Sequence, residues 1–449
     1  MAIVMKFGGT SVADAAAFKN VARIVLDHVP AAPIVVVSAM SSVTDALLES
    51  SRLAKVGSVD MARALLDEVI ERHKTLARAL LRDEHHQDFL DLLETARSTS
   101  TKLFHLIATE RHRMYEDELL AWGETLSSNL LAQALSLREA AARTVDARTC
   151  IVTDNQYGNA APLISETFAQ AKATLNHLLN DRVIPVLGGF IGATKDGKTT
   201  TLGRGGSDYT AAIVGAALNV REIQIWTDVT GVLTADPRVV PDAQTIASLS
   251  YGEAAELAYF GAKVLHPKTI QPATERNIPV RICNSREPGQ KGTIVCATTE
   301  TAPQTVKAIA HKTSVTTIQI TSARMLGAYG FLRALFEIFD RHRTVVDVVT
   351  TSEVSVSLSI DDASALPRIV EELQKLGNVS IEPRRAIICV VGEGLRGTPG
   401  IAATVFSTIS NINVTLISQG ASSVNLTFAV EEDRAEEVVR RLHAAFFRT

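Results

Sequence analysis

Cysteine is scarce in this 449-residue chain: Cys150, Cys283, Cys296 and Cys389 lie far apart, with no C-x-x-C pair among them. That spacing argues against a disulfide scaffold or a zinc framework and suits reduced, packed thiols. Aromatic residues make up only 5%, against 46% hydrophobic residues and a mean hydropathy of +0.14. Such a composition describes a globular chain with apolar mass for sizeable cores rather than a disordered one. No apolar run nears the ~18 residues that span a bilayer, and no basic stretch followed by an apolar core opens the chain. A cytoplasmic protein is expected. Net charge is only -4, with pI near 6.3 and no massed Lys or Arg, so neither nucleic acid nor a membrane surface is an expected partner. Small-molecule work is favoured. Two motifs are also missing. The Walker pattern G-x-x-x-x-G-K-[ST] occurs nowhere, and none of His73, His85, His86, His105 and His112 belongs to an H-E-x-x-H pattern.

What is present begins with Lys6-Phe7-Gly8-Gly9-Thr10-Ser11, which closes the apolar run Ile3-Val4-Met5 and leads into a helical pattern from Val12. Paired glycines let a strand-to-helix turn leave bare amides at a helix N-terminus, where an anion is favoured. Lys6 adds a mobile charge, and Ser11 with Asp14 has the spacing of a capping pair. An ordinary Gly-Gly turn beside a surface lysine is the competing reading.

Further along, Pro33 to Met40 and Val183 to Leu187 are continuously apolar, as in parallel strands buried on both faces. Strands alternating with helices predict a doubly wound α/β sheet, open and mostly parallel, with ligands beyond the strands' carboxyl ends. Ser50 to Ala142 reads as helices throughout, and Gly123 inside that pattern marks the close approach of another element, which draws attention to Glu124. Lys195-Asp196-Gly197-Lys198 signals a hairpin. Then Gly203-Arg204-Gly205-Gly206-Ser207-Asp208 forms a second anion-binding turn before the apolar helix from Ala211. Arg204 offers a planar fork for a carboxylate, and Asp208 can hold a lysine or a metal. Glu222 to Asp228 reads as a strand ending in polar residues, followed by Asp236-Pro237-Arg238 in a loop; Gly261 to Pro267 closes an amphipathic helix with Lys263 as another cation. Taken singly, the features from Glu222 onward are more often surface than site.

In this order, the two turns together with Trp226-Thr227-Asp228 and Phe260-Gly261-Ala262-Lys263-Val264-Leu265-His266-Pro267 resemble the aspartate kinases of the amino-acid kinase superfamily, over essentially the whole chain. The resemblance implies transfer of the γ-phosphoryl of ATP with Mg2+ to the β-carboxylate of L-aspartate, the first step toward lysine, threonine and methionine. It implies that Lys6 with the Gly8 and Gly9 amides stabilises the transferring group, with Asp208 orienting Lys6. Arg204, Gly205, Gly206, Ser207 and Thr44 would hold aspartate, and Glu124 its ammonium. Thr227, Asp228, Leu233, Asp236, Arg238, Lys263 and Val264 would line the nucleotide, with Leu233 where some relatives carry tyrosine. No metal held by protein ligands alone is expected. The alternatives are an amino-acid-sensing regulator without turnover, or a kinase for another acidic substrate.

The last third contains a repeat. Gly330 aligns with Gly400 and Ser352 with Ser422, both 70 residues apart without a gap. Two copies of one supersecondary unit follow, since a solenoid needs at least three. Each resembles an ACT domain, an α+β ferredoxin-like amino-acid-sensing module. The second copy lacks its last strand, and the run from Val306 to His311 is expected to fill that slot. The predicted domains are 1-298, 313-385, and a discontinuous third of 303-312 plus 386-449. Asp347 and Glu353 in the first copy correspond to Ile417 and Ser423 in the second, so a basic effector is implied at the first. By resemblance to the lysine-sensitive class, Met325, Phe331, Leu332, Val345, Val346, Asp347, Ser352 and Glu353 would surround L-lysine. Two solvated carboxylates on a loop are the bland alternative. A homodimer through these modules is also implied. Gly392-Glu393-Gly394-Leu395-Arg396-Gly397 spells a dinucleotide fingerprint, but Thr398-Pro399 looks like the start of the next helix and no acid follows at the required place, so such a site is not expected.

Overall fold

A computed structural model describes residues 2–448 except 139, 262–264, 266, 298–304, 328 and 421, and the side chains of 83 and 84 also lie outside the description. Two compact units emerge: Met1–Val232 with His266–Thr298, and Leu233–Leu265 with Thr299–Thr449. Residues 233–265 therefore group with the C-terminal part, inside the range predicted as one N-terminal domain.

In chain order the first unit opens with β1 (Ile3–Phe7), α1 (Ala15–Asp27), β2 (Pro33–Val37), α2 (Val43–Lys55), α3 (Val59–Leu80), α4 (Asp83–Thr109) and α5 (Met114–Ser136). It continues with β3 (Ala142–Val145), β4 (Val152–Thr153), α6 (Ile164–Asn180), β5 (Ile184–Gly188), β6 (Ile191–Thr194), β7 (Thr199–Thr201), α7 (Gly206–Leu218) and β8 (Glu222–Thr227). After the excursion into the second unit with β9 (Ser248–Ser250) and α8 (Tyr251–Tyr259), it resumes with α9 (Pro267–Glu275), β10 (Val280–Asn284) and β11 (Thr293–Cys296).

Its strands lie in the order β3-β5-β2-β1-β8-β10-β11, all neighbours parallel except β10 and β11. Side chains alternate across a strand. Ile3, Met5 and Phe7 of β1 accordingly join the core built on α1 to α5, while Lys6 points to the face where α7 packs on β1. The Asp-Gly hairpin is present as the antiparallel pair β6–β7.

Two local expectations are corrected. Ser11 does not cap a helix: it sits in a short 3-10 turn, Gly9–Val12, and its hydroxyl meets the Ser285 hydroxyl at 2.8 Å. Asp14 itself is the N-cap of α1, accepting from the Ala17 N–H at 2.9 Å. Likewise the helix predicted to close at Gly261 to Pro267 already ends at Tyr259, with Phe260 as its C-cap.

The second unit adds β12 (Ala308–Thr321), α10 (Phe331–Arg341), β13 (Val349–Thr351), β14 (Ser355–Ile360), α11 (Leu366–Leu373), β15 (Asn378–Val391), α12 (Ile401–Thr408), β16 (Leu416–Gln419), β17 (Asn425–Glu431) and α13 (Ala435–Phe447). Strands β12 to β17 form one antiparallel sheet, β13-β14-β12-β15-β17-β16. The two long strands serve both repeats. Ala308 to Lys312 lie against Ile387 to Val391 of the second copy, and Val315 to Thr321 against Asn378 to Arg385 of the first. Each copy keeps its own core, around Phe339 in the first and Phe428 in the second. The helix after the false fingerprint starts later than Thr398-Pro399 suggested, at Ile401 with Gly400 as its cap. Among the described residues no helix is long and apolar enough to cross a membrane.

Candidate active site

Strand ends β1, β2 and β5, helix α5 and the start of α7 enclose a cavity of about 560 Å³ in the first unit. Nine of the sequence-predicted residues line it: Lys6, Gly9, Thr44, Glu124, Arg204, Gly205, Gly206, Ser207 and Asp208. Lys6, the residue before the end of β1, is in register with Val36 of β2 and Ile225 of β8, so it stands at the centre of the sheet. Its Nζ lies 2.6 Å from Oδ1 of Asp208, in the first turn of α7, with side chains 12% and 17% exposed. At that depth the attraction is far less screened than on a surface. Arg204 is exposed at the cavity and has no ion-pair partner among the described residues.

Gly8 departs from the expectation of two bare amides, because its N–H donates to the Trp226 carbonyl at 3.1 Å. Gly9 keeps its place at the cavity. A Cβ there would come within 2.8 Å of the Ala39 carbonyl oxygen, so only glycine lets the β1 turn lie against the Ser38–Ser42 segment after β2.

Glu124 is 3% exposed, and its Oε2 has no hydrogen-bond partner. Burial pushes its pKa up to about 8, while the Ala39 backbone and Lys6 pull the other way. A buried acceptor left open toward a cavity is costly unless something donates to it. The mid-helix glycine beside it has the role the pattern suggested: a Cβ on Gly123 would stand 2.8 Å from the Ala39 Cβ.

Sequence reasoning missed several lining residues. Arg113, Glu116, Asp117 and Leu120 share the α5 face of Glu124 at helical spacing, a signal that projecting the helix backward from Glu124 could have found. Ser42 and Phe190, both at the cavity, hold left-handed backbones with φ of 66° and 67°. Non-glycine residues in that region are uncommon and concentrate at functional sites.

Of the nucleotide candidates, Thr227 and Asp228 lie at the end of β8, with the Thr227 hydroxyl donating to Asp228 at 3.2 Å. Leu233, Asp236 and Arg238 belong to the second unit. There Leu233 bridges to Thr245, and the Arg238 guanidinium grips the Asp236 carboxylate, 2.6 Å at its shortest, which holds that carboxyl below its ordinary pKa. Lys263 and Val264 lie outside the described residues.

Among the effector candidates, Met325, Phe331 and Val346 pack on the first-copy core, whereas Leu332, Val345, Ser352 and Glu353 are exposed. Asp347 is not the solvated carboxylate of the bland alternative. Its side chain is 2% exposed, accepts from the Tyr259 hydroxyl and lies 3.4 Å from the Lys312 ammonium. Lys312 also pairs with Asp361 and stands 4.7 Å from the Tyr259 ring centroid. Burial, reinforced by the adjacent Asp361, pushes the Asp347 pKa up to about 8. The chain's own lysine thus occupies the carboxylate expected to receive a basic effector. Among the described residues no group of three or more His, Cys, Asp or Glu stands ready to hold a metal ion.

Residues 1–284 match the model of the amino acid kinase family, and 388–446 match an ACT domain model. The chain is 40% identical over 463 residues to aspartokinase 3, chloroplastic, of Arabidopsis thaliana, covering 99% of this chain and 82% of the relative. It is 37% identical to lysine-sensitive aspartokinase 3 of Escherichia coli strain K12, covering 99% of both chains. The crystal structure of E. coli aspartokinase III in complex with aspartate and ADP, in the R-state, superposes with a TM-score of 0.84 at 36% identity, covering 100% of both chains.

Proposed function

The chain belongs to the amino acid kinase family and, within it, to the aspartokinases, and on that premise we propose that it transfers the γ-phosphoryl group of ATP to the β-carboxylate of L-aspartate, giving 4-phospho-L-aspartate. The observation that carries this reading is the convergence on one cavity of two cations, Lys6 and Arg204, with the unpartnered carboxylate oxygen of Glu124. Nucleophile and donor are both anionic, so catalysis consists mainly of positioning and charge neutralisation. Lys6, steadied by Asp208 and joined by the Gly9 amide, neutralises the transferring group. Gly8 contributes the turn rather than a free donor. Arg204, Thr44 and Ser207, on the Gly205-Gly206 backbone, hold the amino acid, and the orphaned oxygen of Glu124 takes its ammonium. Thr227 and Asp228 serve the nucleotide, and Mg2+ enters with its phosphates.

L-Lysine is the proposed feedback effector, acting at the first ACT copy through Asp347, Glu353 and their neighbours. The name of the E. coli relative and the two-carboxylate difference between the copies support it. A cytoplasmic homodimer is proposed as the working form. Leu326, Tyr329 and Val345, exposed on the first copy, suit burial against a second chain.

A coupled assay with ATP and a panel of acidic acceptors tests the assignment. Turnover with L-aspartate in preference to glutamate, N-acetylglutamate and UMP is expected. A preference for any of the others moves the chain elsewhere in the family.

A further inference from the structure

Asp117 is a buried carboxylate for which the proposed chemistry has no use, yet it lines the cavity. It is 1% exposed and receives three donors. The Gly158 N–H and the Thr201 N–H each reach Oδ2 at 2.8 Å, and the Thr201 hydroxyl reaches Oδ1 at 3.0 Å. Thr201 is the last residue of β7, three before Arg204, and Gly158 lies in the loop that precedes α6. On α5, Asp117 sits two helical turns before Glu124, on the same face. One charge-assisted cluster therefore ties the helix carrying the ammonium-binding candidate to the strand end carrying the carboxylate-binding candidate.

We infer that Asp117 is a positioning residue that sets the span between Glu124 and Arg204 and so selects the length of the dicarboxylic amino acid. This rests on the proposed reading of the cavity. With the amino-acid head group fixed between Glu124 and Arg204, the side-chain carboxylate reaches the transfer point beside Lys6 at one chain length, and the next homologue pays in misplacement of its reacting carboxylate.

Steady-state kinetics of the full chain test it, with Asp117→Asn and Thr201→Val compared to the wild type for aspartate, glutamate and ATP, alongside unfolding midpoints. Asp117→Asn can turn its amide oxygen to the two N–H donors but withdraws the negative charge that strengthens all three bonds, so the aspartate KM should rise roughly fivefold while the ATP KM stays within about twofold. The aspartate-over-glutamate ratio of kcat/KM should fall with it. Thr201→Val removes only the hydroxyl and should move the same parameters the same way by less, which keeps the test open should Asp117→Asn fail to fold. Turnover reduced only in proportion to folded protein, with aspartate KM and the ratio unchanged, overturns the inference. A wild type that ignores aspartate overturns the reading beneath it and is seen before any variant is measured.

Discussion

The Lys6 ammonium and the Asp208 carboxylate stand 2.6 Å apart at the mouth of the sheet, one at the end of the first strand and the other in the first turn of α7. Neither segment holds the pair alone. The carboxylate keeps a flexible four-carbon side chain aimed along the cavity, where a strongly hydrated ammonium would otherwise sample many rotamers.

Removing that cation should cost what a lost transition-state donor costs. Lys6→Ala is expected to lower kcat by roughly 10²–10³ with aspartate and ATP. Asp208→Ala frees the ammonium without deleting it, so a smaller loss is expected. Unchanged turnover in Lys6→Ala excludes the residue from catalysis.

Glu124 should make aspartate binding depend on pH. With its pKa raised to about 8, the free enzyme carries the neutral acid below that pH and the carboxylate above it. Only the carboxylate attracts the substrate ammonium, so the aspartate KM should fall as pH rises through about 8. Glu124→Gln should raise KM and flatten that profile between pH 7 and 9. A wild-type profile already flat there would exclude the role.

Lysine acting at Asp347 has to displace Lys312, which lies 3.4 Å from that carboxylate. Lys312→Met should therefore lower the half-inhibiting lysine concentration by roughly tenfold, the scale of one charged hydrogen bond. Asp347→Ala should desensitise the enzyme and spare its basal rate. Inhibition by threonine in place of lysine, or Lys312→Met needing more lysine, would refute this competition.

His73 predicts an acid-sensitive stability. It is buried in α3, its Nδ1 lies 2.7 Å from the Val69 carbonyl oxygen, and burial lowers its pKa from 6.5 to about 4. Between those values the unfolded chain binds the proton and the folded one does not. Stability from this source is whole above pH 6.5 and declines as pH falls toward 4, by roughly 3 kcal/mol in all. His73→Met should remove that share of the loss, read from urea unfolding at pH 7.5 and 5.0. Equal pH slopes in variant and wild type would contradict it.

Much of the candidate site was legible because its residues come in local clusters. A turn that needs glycine, or a helix that begins at Gly206 behind a left-handed Gly205 cap, is a property of neighbours in the chain, and so is the 70-residue repeat. What was not legible involves partners distant in sequence. The Gly8 amide looked free until the Trp226 carbonyl met it, and Ser11 looked like a cap until Ser285 came within 2.8 Å. Asp117 and Arg113 carried a faint helical signal but no local pairing that marked them.

By itself the amino-acid order determined the main strands, the turns, the duplicated C-terminal unit and the residue types that can meet an anion, since periodicity and backbone preference act over a few residues. Tertiary structure alone decided which donor each acceptor receives, that Glu124 is held near pH 8 and that Lys312 sits on Asp347. Desolvation and hydrogen-bond partnership belong to the space around a group, and segments far apart in the chain build that space.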